Sequence, residues 1–222
     1  MPKQHLREDV VRLSDGISAP AKEIYVLEDF QAPDGTNLDL RTPPVAPVGS
    51  IWNDVSGNAT FPSGDIQGNK GRIQDIGDGV VRGYVTNSAK SAGVIRLRFK
   101  GNGTTPAWPA IVFRHSGADT LVGWKVRVDA ESDVVLLLDP GNSVIISKAF
   151  VSGPNDEVAL EAFFSVRRIV FQVYNLSTGA EASGEYKLAA SSQTNTFVGF
   201  LTRTAFGAGL DDRFSDFEFA SS

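Results

Sequence analysis

The stretch Glu28–Trp52, EDFQAPDGTNLDLRTPPVAPVGSIW, decides where a fold begins in this chain. An acid and an aromatic open it, Asp34-Gly35 signals a turn, prolines interrupt the following loop, and a tryptophan closes it. This order is typical of the entry to a domain. We therefore divide the chain into an N-terminal arm, residues 1–28, and one domain, residues 29–222.

Composition supports one large domain with its own core, because 41% of the 222 residues are hydrophobic. The net charge is −5 and no run of Lys and Arg occurs, which argues against nucleic acid and against anionic membranes as partners. No apolar run approaches the ~18 residues of a membrane helix. Disulfides and thiolate metal sites are excluded, since the chain has no cysteine.

Short runs of β-forming residues, separated by Gly, Pro, Asn and Asp, predict an all-β chain. Turn signals recur about every 8–12 residues, which favours an antiparallel β-sandwich or jelly roll. Asp139–Asn142 predicts a hairpin turn. The predicted strands are 94–99, 110–114, 124–128, 134–138, 144–146, 186–190, 196–202 and 213–219.

The sequence of residues 155–174 is compatible with one helix or with two strands. Asn155 and the acids after it are typical of a helix start, whereas Val158, Leu160 and Ala162 alternate as in a strand. The β-branched and aromatic run at 168–174 favours two strands over one helix. A turn-rich loop is predicted from residue 175 to residue 184.

The first 28 residues are too few to form a core. An apolar helical face fits the pattern, but Asp15-Gly16 and Pro20 keep any helix short. A floppy terminus and an arm that orders on a partner surface both fit, and we favour the arm. The residues that would anchor it are Leu6, Val10, Val11 and Leu13.

Several motifs, taken in order, resemble the concanavalin A-like, laminin-G-like jelly-roll domains of bacteriophage proteins. They are an aromatic after an acid, an Asp-Gly-Thr turn, an Arg-x-Pro loop, a Gly-x-x-Trp step, a Gly-Asn turn and two closing strands. The resemblance implies that the first strand pairs with the last. It also implies a place on a virion, as a tail or head-decoration protein. The motifs lie at Phe30, 34–36, 41–43, 49–52, 66–69, 197–200 and 213–219.

Catalysis has few candidate residues. His115, Ser116 and Asp119 are near-adjacent in one loop, so they cannot adopt triad geometry. A jelly-roll glycosidase needs two facing carboxylates, and the Glu-x-Asp-x-x-Glu strand of laminarinase-like relatives is absent. Glu157 and Glu161 are expected to be solvated. The sequence therefore predicts a non-enzymatic protein.

Calcium is the one metal that the resemblance suggests, because laminin-G-like domains often carry it on the sandwich rim. Oxygen ligands stand near both ends of the domain, at Asp29, Asp34, Asn37 and Asp211. Paired first and last strands would bring the two clusters together. The alternative is that Asp34-Gly35 is only a turn and the other side chains are solvated.

Carbohydrate binding would use an exposed aromatic with polar neighbours. Trp52 and Trp124 are expected to be buried, whereas Trp108 lies in the proline-flanked loop GNGTTPAWPA. Trp108 and, in the next loop, His115 are the candidate contacts. Packing of Trp108 over the sandwich edge is the alternative.

Taken together, these features predict a structural virion protein of a tailed phage. The arm would hold it to a major capsid or tail protein, and copies would assemble as a homo-oligomer. The alternative is a carbohydrate-binding module for host adsorption. We expect it to be made in the host cytoplasm and kept on the virion, since its charged first twenty residues lack a signal's apolar core.

Overall fold

The computed structural model describes residues 22–55, 64–74, 81–101, 108–117, 122–189, 195–202 and 211–221. Over these residues the chain is all-β, as the sequence predicts, and two antiparallel sheets pack face to face. No helix long and apolar enough to cross a membrane occurs in this part of the chain.

Fifteen strands occur in the described residues. They are β1 (Ile24–Glu28), β2 (Asn53–Asp54), β3 (Asp65–Ile66), β4 (Gly71–Gln74), β5 (Arg82–Asn87), β6 (Gly93–Lys100), β7 (Ala110–His115), β8 (Trp124–Asp129), β9 (Val134–Leu138), β10 (Val144–Ala149), β11 (Glu157–Phe164), β12 (Arg168–Asn175), β13 (Glu181–Lys187), β14 (Phe197–Thr202) and β15 (Asp211–Ala220).

Sheet A contains eight of the described strands, in the order β13-β12-β11-β6-β15-β4-β3, with β1 also paired to β15. Sheet B contains the other seven, in the order β10-β9-β8-β7-β14-β5-β2. The long strand β15 pairs with β4 along its first part and with β1 along its last part. Neighbours far apart in sequence thus meet in both sheets, as in a jelly roll.

Aromatic rings fill the space between the sheets. Phe164 stacks between Phe113 and Phe219, with ring centroids 4.5 Å and 5.4 Å away. The ring of Trp52 meets Phe200 and Phe217 edge-on, each at 5.2 Å. Such pairs contribute roughly 0.5–1.5 kcal/mol beyond the area they bury. Burial of both Trp52 and Trp124 confirms the sequence prediction for these two side chains.

The fully buried carboxylate of Glu28 joins the parts of the stretch Glu28–Trp52. Its Oε1 accepts hydrogen bonds from Phe30 N at 2.9 Å and from Arg41 Nη2 at 3.1 Å. Its Oε2 accepts from Arg41 Nε at 3.2 Å and from Trp52 Nε1 at 3.0 Å. The acid, the first aromatic, the arginine and the tryptophan of the motif therefore form one buried cluster, the Glu28 cluster.

The two-strand prediction for residues 155–174 is confirmed. Strands β11 and β12 pair along their full lengths, from Val158 opposite Asn175 to Phe164 opposite Ile169. Buried and half-buried side chains alternate strictly along both. The alternation outweighs the helix-start signal because these strands bury one face on the core.

The observed secondary structure differs from the sequence prediction at β13 and at β5. The loop predicted for 175–184 ends at residue 180, since β13 begins at Glu181 as an exposed edge strand without an apolar run. Strand β5 was not predicted, because its sequence RGYVTN mixes polar and apolar residues on both faces. Five of its six residues are nevertheless buried.

The predicted pairing of the first strand with the last is confirmed. Strand β1 pairs with β15, with Glu28 opposite Phe217 and Ile24 opposite Ala220. The sheet therefore begins at Ile24, inside the segment that the sequence assigned to the arm. Residues 1–21, which include the four predicted anchors, lie outside the described residues, so the arm stays a prediction.

Candidate ligand-binding face

The outer face of sheet B is the surface that turns away from the core between the sheets. In β8, Trp124, Val126 and Val128 point into that core. Successive strand residues point to opposite faces, so Lys125, Arg127 and Asp129 lie on the outer face. We call these three residues the polar row.

Trp108 packs against the polar row just before β7 begins. The Arg127 guanidinium carbon lies 5.1 Å from the centre of the indole ring, within cation–π range. Arg127 Nη2 lies 3.4 Å from Asp129 Oδ2. The Trp108 ring thus contacts the Arg127 guanidinium, which in turn contacts the Asp129 carboxylate. Trp108 is half-buried, and the Arg127 side chain keeps 27% of its surface exposed.

Lys125 is the deepest member of the polar row. Only 4% of its surface is exposed, and Nζ donates to Gly123 O at 3.0 Å and to Asn142 Oδ1 at 2.8 Å. The pKa of Lys125 is lowered to about 8, mainly by burial, while Asp139 opposes the shift and Arg127 adds to it. Most molecules carry an ammonium group here at neutral pH, so this part of the face is positive.

Apolar residues continue the outer face toward β14 and β5. Cross-strand partners place Lys125 beside Val112, Val112 beside Gly199, and Gly199 beside Val85. Val85 and Val112 are fully buried and belong to a second apolar cluster. This part of the outer face is therefore covered, and the accessible part lies at Trp108 and Arg127.

His115 does not join Trp108 on this face. It ends β7, whereas Trp108 precedes it, so the length of the strand separates them. His115 is fully buried, and its Nδ1 accepts a hydrogen bond from Gly117 N at 2.9 Å. The His115 side chain is therefore not accessible for the predicted glycan contact, because it is buried and bonded within its own turn.

The predicted calcium ligands in the first part of the domain accept hydrogen bonds from the protein itself. Asp34 accepts from Gly68 N at 2.7 Å, and Asn37 accepts from Asp39 N at 2.8 Å. Asp29 accepts from the amide of the second residue after it, at 3.1 Å. Within the described residues, no group of three or more acidic or histidine side chains is placed to hold a metal.

Asp211 is not brought to the other predicted ligands. Its backbone pairs with Gln74, at the far end of β4 from the turn at Gly68 that Asp34 binds. Its side chain lies outside the described residues. The two clusters stay apart because β15 pairs with β1 only at its other end.

Glu161 belongs to ion pairs on the outer face of sheet A. Arg96 donates to Glu161 at 2.5 Å and to Glu218 at 2.8 Å, and Lys22 lies 2.5 Å from Glu218. Glu157 is more exposed and lies 3.9 Å from Arg98. These ion pairs link the neighbouring strands β11, β6 and β15. Glu161 is therefore paired with Arg96.

Sequence reasoning missed the polar row. The signal was present in WKVRVD, where every second residue is polar. Alternation alone does not tell which side chains of other strands share that side.

Searches with family models and against curated proteins return no match for this chain. Solved structures match over most of its length. Arcelin-5, a lectin-like defence protein of Phaseolus vulgaris, has a TM-score of 0.52 and 7% identity, covering 78% of this chain and 98% of its own. The winged bean acidic lectin, complexed with methyl-α-D-galactose, has a TM-score of 0.53 and 7% identity over 78% and 98%.

A laminarinase from Flavobacterium has a TM-score of 0.57 and 12% identity, covering 89% of this chain and 99% of its own. Identities this low show the fold alone. The chain is a lectin-like β-sandwich with the concanavalin A-like jelly-roll fold, as the sequence predicts. The fold class is thus shared by lectins and by an enzyme.

Proposed function

We propose that this protein is a non-enzymatic, lectin-like binding protein that contacts carbohydrate through Trp108 and Arg127. The contact of Trp108 with Arg127, and of Arg127 with Asp129, carries the proposal. An aromatic ring offers an apolar surface to a sugar ring, and the partly exposed guanidinium of Arg127 binds hydroxyl groups, while the buried Asp129 holds Arg127 in position. The lectin neighbours, one of them complexed with a galactoside, support the same ligand class.

The number of carboxylates supports binding over hydrolysis. Glycosidases use two carboxyl groups that face one bond, ~5–9.5 Å apart. Within the described strands of sheet B, Asp129 is the one carboxylate at an outward position, and it accepts from Ser132 N at 3.1 Å while facing Arg127. On the outer face of sheet B, the likeness to a laminarinase therefore concerns the fold and not a pair of acids.

Replacing Trp108 with alanine is expected to weaken glycan binding about 10- to 100-fold, the usual effect of losing a central aromatic contact. A glycan array identifies the ligand, and calorimetry with that ligand gives the dissociation constant. Tyr174→Ala is the matched control, because Tyr174 is a half-buried aromatic on sheet A, where Tyr174 Oη donates to Gln172. Equal binding by wild type and Trp108→Ala, or a blank array, would contradict the proposal.

We further propose that the protein is carried on the virion of a tailed phage, attached through residues before Ile24 to a head or tail protein. The motif resemblance supports this place. The Glu28 cluster supports the resemblance, because four residues of the motifs are joined there by hydrogen bonds to one carboxylate. Many copies on one particle would turn weak individual glycan contacts into strong adsorption.

Immunogold electron microscopy of native particles tests the virion proposal, with antibody raised against residues 30–222. Label over heads is expected for a decoration protein, and label on tails for an adsorption protein. Particles without label would overturn the virion assignment and leave the glycan proposal standing.

A further inference from the structure

Arg114 occupies an unusual position at the end of β7. The register of β7 against β14 shifts there, with Phe197 opposite His115 but Val198 opposite Phe113. The backbone of Arg114 has a positive φ of 53°, which non-glycine residues seldom adopt. This bulge sends the side chain away from the polar row and toward sheet A, where its guanidinium lies 5.8 Å from the Phe164 ring.

The guanidinium of Arg114 is buried, with 2% of the residue exposed. Nε donates to Ser91 O at 3.2 Å and Nη2 donates to Ser165 O at 2.6 Å. Nη1 is buried and has no hydrogen-bond partner among the described residues. Arg114 forms no ion pair with any described residue, so two backbone carbonyls are its polar partners.

Burial lowers the pKa of Arg114 below its ordinary value. That ordinary value is so high that the group keeps its charge at neutral pH. A buried charge is normally paired, because leaving it unpaired is strongly destabilising. An unpaired donor on a buried cation therefore indicates that an anion belongs there.

The two turns beside Arg114 contain basic residues although the whole chain has a net charge of −5. The turns at 88–92 and 165–167 contain Lys90 and Arg167 and no acidic residue. No carboxylate of these two turns therefore competes with an external anion for Arg114.

We infer that Arg114 anchors an oxyanion-binding site between the β5–β6 turn and the β11–β12 turn. Carboxylate, sulfate and phosphate groups match the paired donors of a guanidinium. Ser91 and Ser165, whose carbonyl groups accept from Arg114, are half-buried, and their chain neighbour Val166 is exposed. Entry of the anion requires one of the turns to shift.

This site is separate from the proposed carbohydrate face. Trp108 lies before the start of β7, and Arg114 lies near its end, six residues or up to ~20 Å farther along the extended chain. The oxyanion site does not depend on glycan binding at Trp108.

Calorimetric titration with sulfate and with phosphate, at constant ionic strength held by sodium chloride, tests the site. We expect saturable binding to the wild type and at least a tenfold loss in Arg114→Gln. Arg98→Gln is the matched control, since Arg98 is a partly exposed arginine near the other end of sheet A, and it should bind as the wild type does. Glucuronate compared with glucose then distinguishes an acidic sugar from the free ion.

A measurement on the wild-type protein keeps the inference testable even if Arg114→Gln does not fold. The Nε–Hε resonance of Arg114, assigned by its loss in Arg114→Lys, is expected to shift on addition of sulfate. Absence of saturable binding would overturn the inference. So would an Arg114→Gln variant that melts earlier but binds sulfate unchanged, because Arg114 would then only tie two turns together.

Discussion

Glu28→Ala is expected to lower the free energy of unfolding by about 3–5 kcal/mol, the cost of removing one partner from a buried ion pair. The Glu28 carboxylate is fully buried and accepts from Phe30, Arg41 and Trp52. Alanine leaves a largely buried guanidinium and two further N–H donors without an acceptor. Urea denaturation, followed by tryptophan fluorescence, measures the loss.

The Glu28→Gln variant removes the charge of the side chain but keeps its size and shape. The amide keeps one acceptor oxygen but places an NH₂ group against donors, so we expect a loss nearly as large. Glu157→Ala is the matched control, because its carboxylate is 40% exposed and 3.9 Å from Arg98, and such surface pairs contribute about 0–1 kcal/mol. A loss at Glu28 no larger than at Glu157 would show that the cluster does not stabilise the fold.

Gly199→Ala is expected to destabilise the protein by about 3 kcal/mol or more, at the upper end for overpacked sites. Gly199 lies in the central strand β14 of sheet B, between β5 and β7. A Cβ at this position would fall on the carbonyl oxygen of Tyr84 and lie 2.8 Å from the Cα of Val85. Both obstacles are backbone atoms of β5, so the strands would have to separate.

Gly141→Ala provides the comparison for Gly199→Ala. Gly141 lies in the β9–β10 turn, where a Cβ would meet only Asp139 Oδ1, at 3.3 Å. We expect a change within about 0.5 kcal/mol, as for most exposed substitutions. Thermal unfolding of both variants is the measurement, and a Gly199→Ala protein as stable as Gly141→Ala would mean that β14 and β5 are less closely packed.

Local patterns determined much of the fold. Alternation from Val158 onward and the β-branched and aromatic run at 168–174 predicted β11 and β12 against a helix-start signal. The Asp139–Asn142 break predicted the β9–β10 hairpin. The order of short motifs predicted the jelly roll. These features are readable because a strand that buries one face imposes a period of two on its own residues, and a tight turn restricts its own residue types.

Contacts between distant residues were decided only by the tertiary structure. The sequence shows an acid at 28, an arginine at 41 and a tryptophan at 52, but not that one carboxylate binds both of the others. Likewise, it does not show that Trp108 rests on Arg127 or that Arg114 turns inward at a bulge. Local sequence specifies which residues form strands, whereas strand order and register specify which side chains meet, and the candidate sites depend on the second.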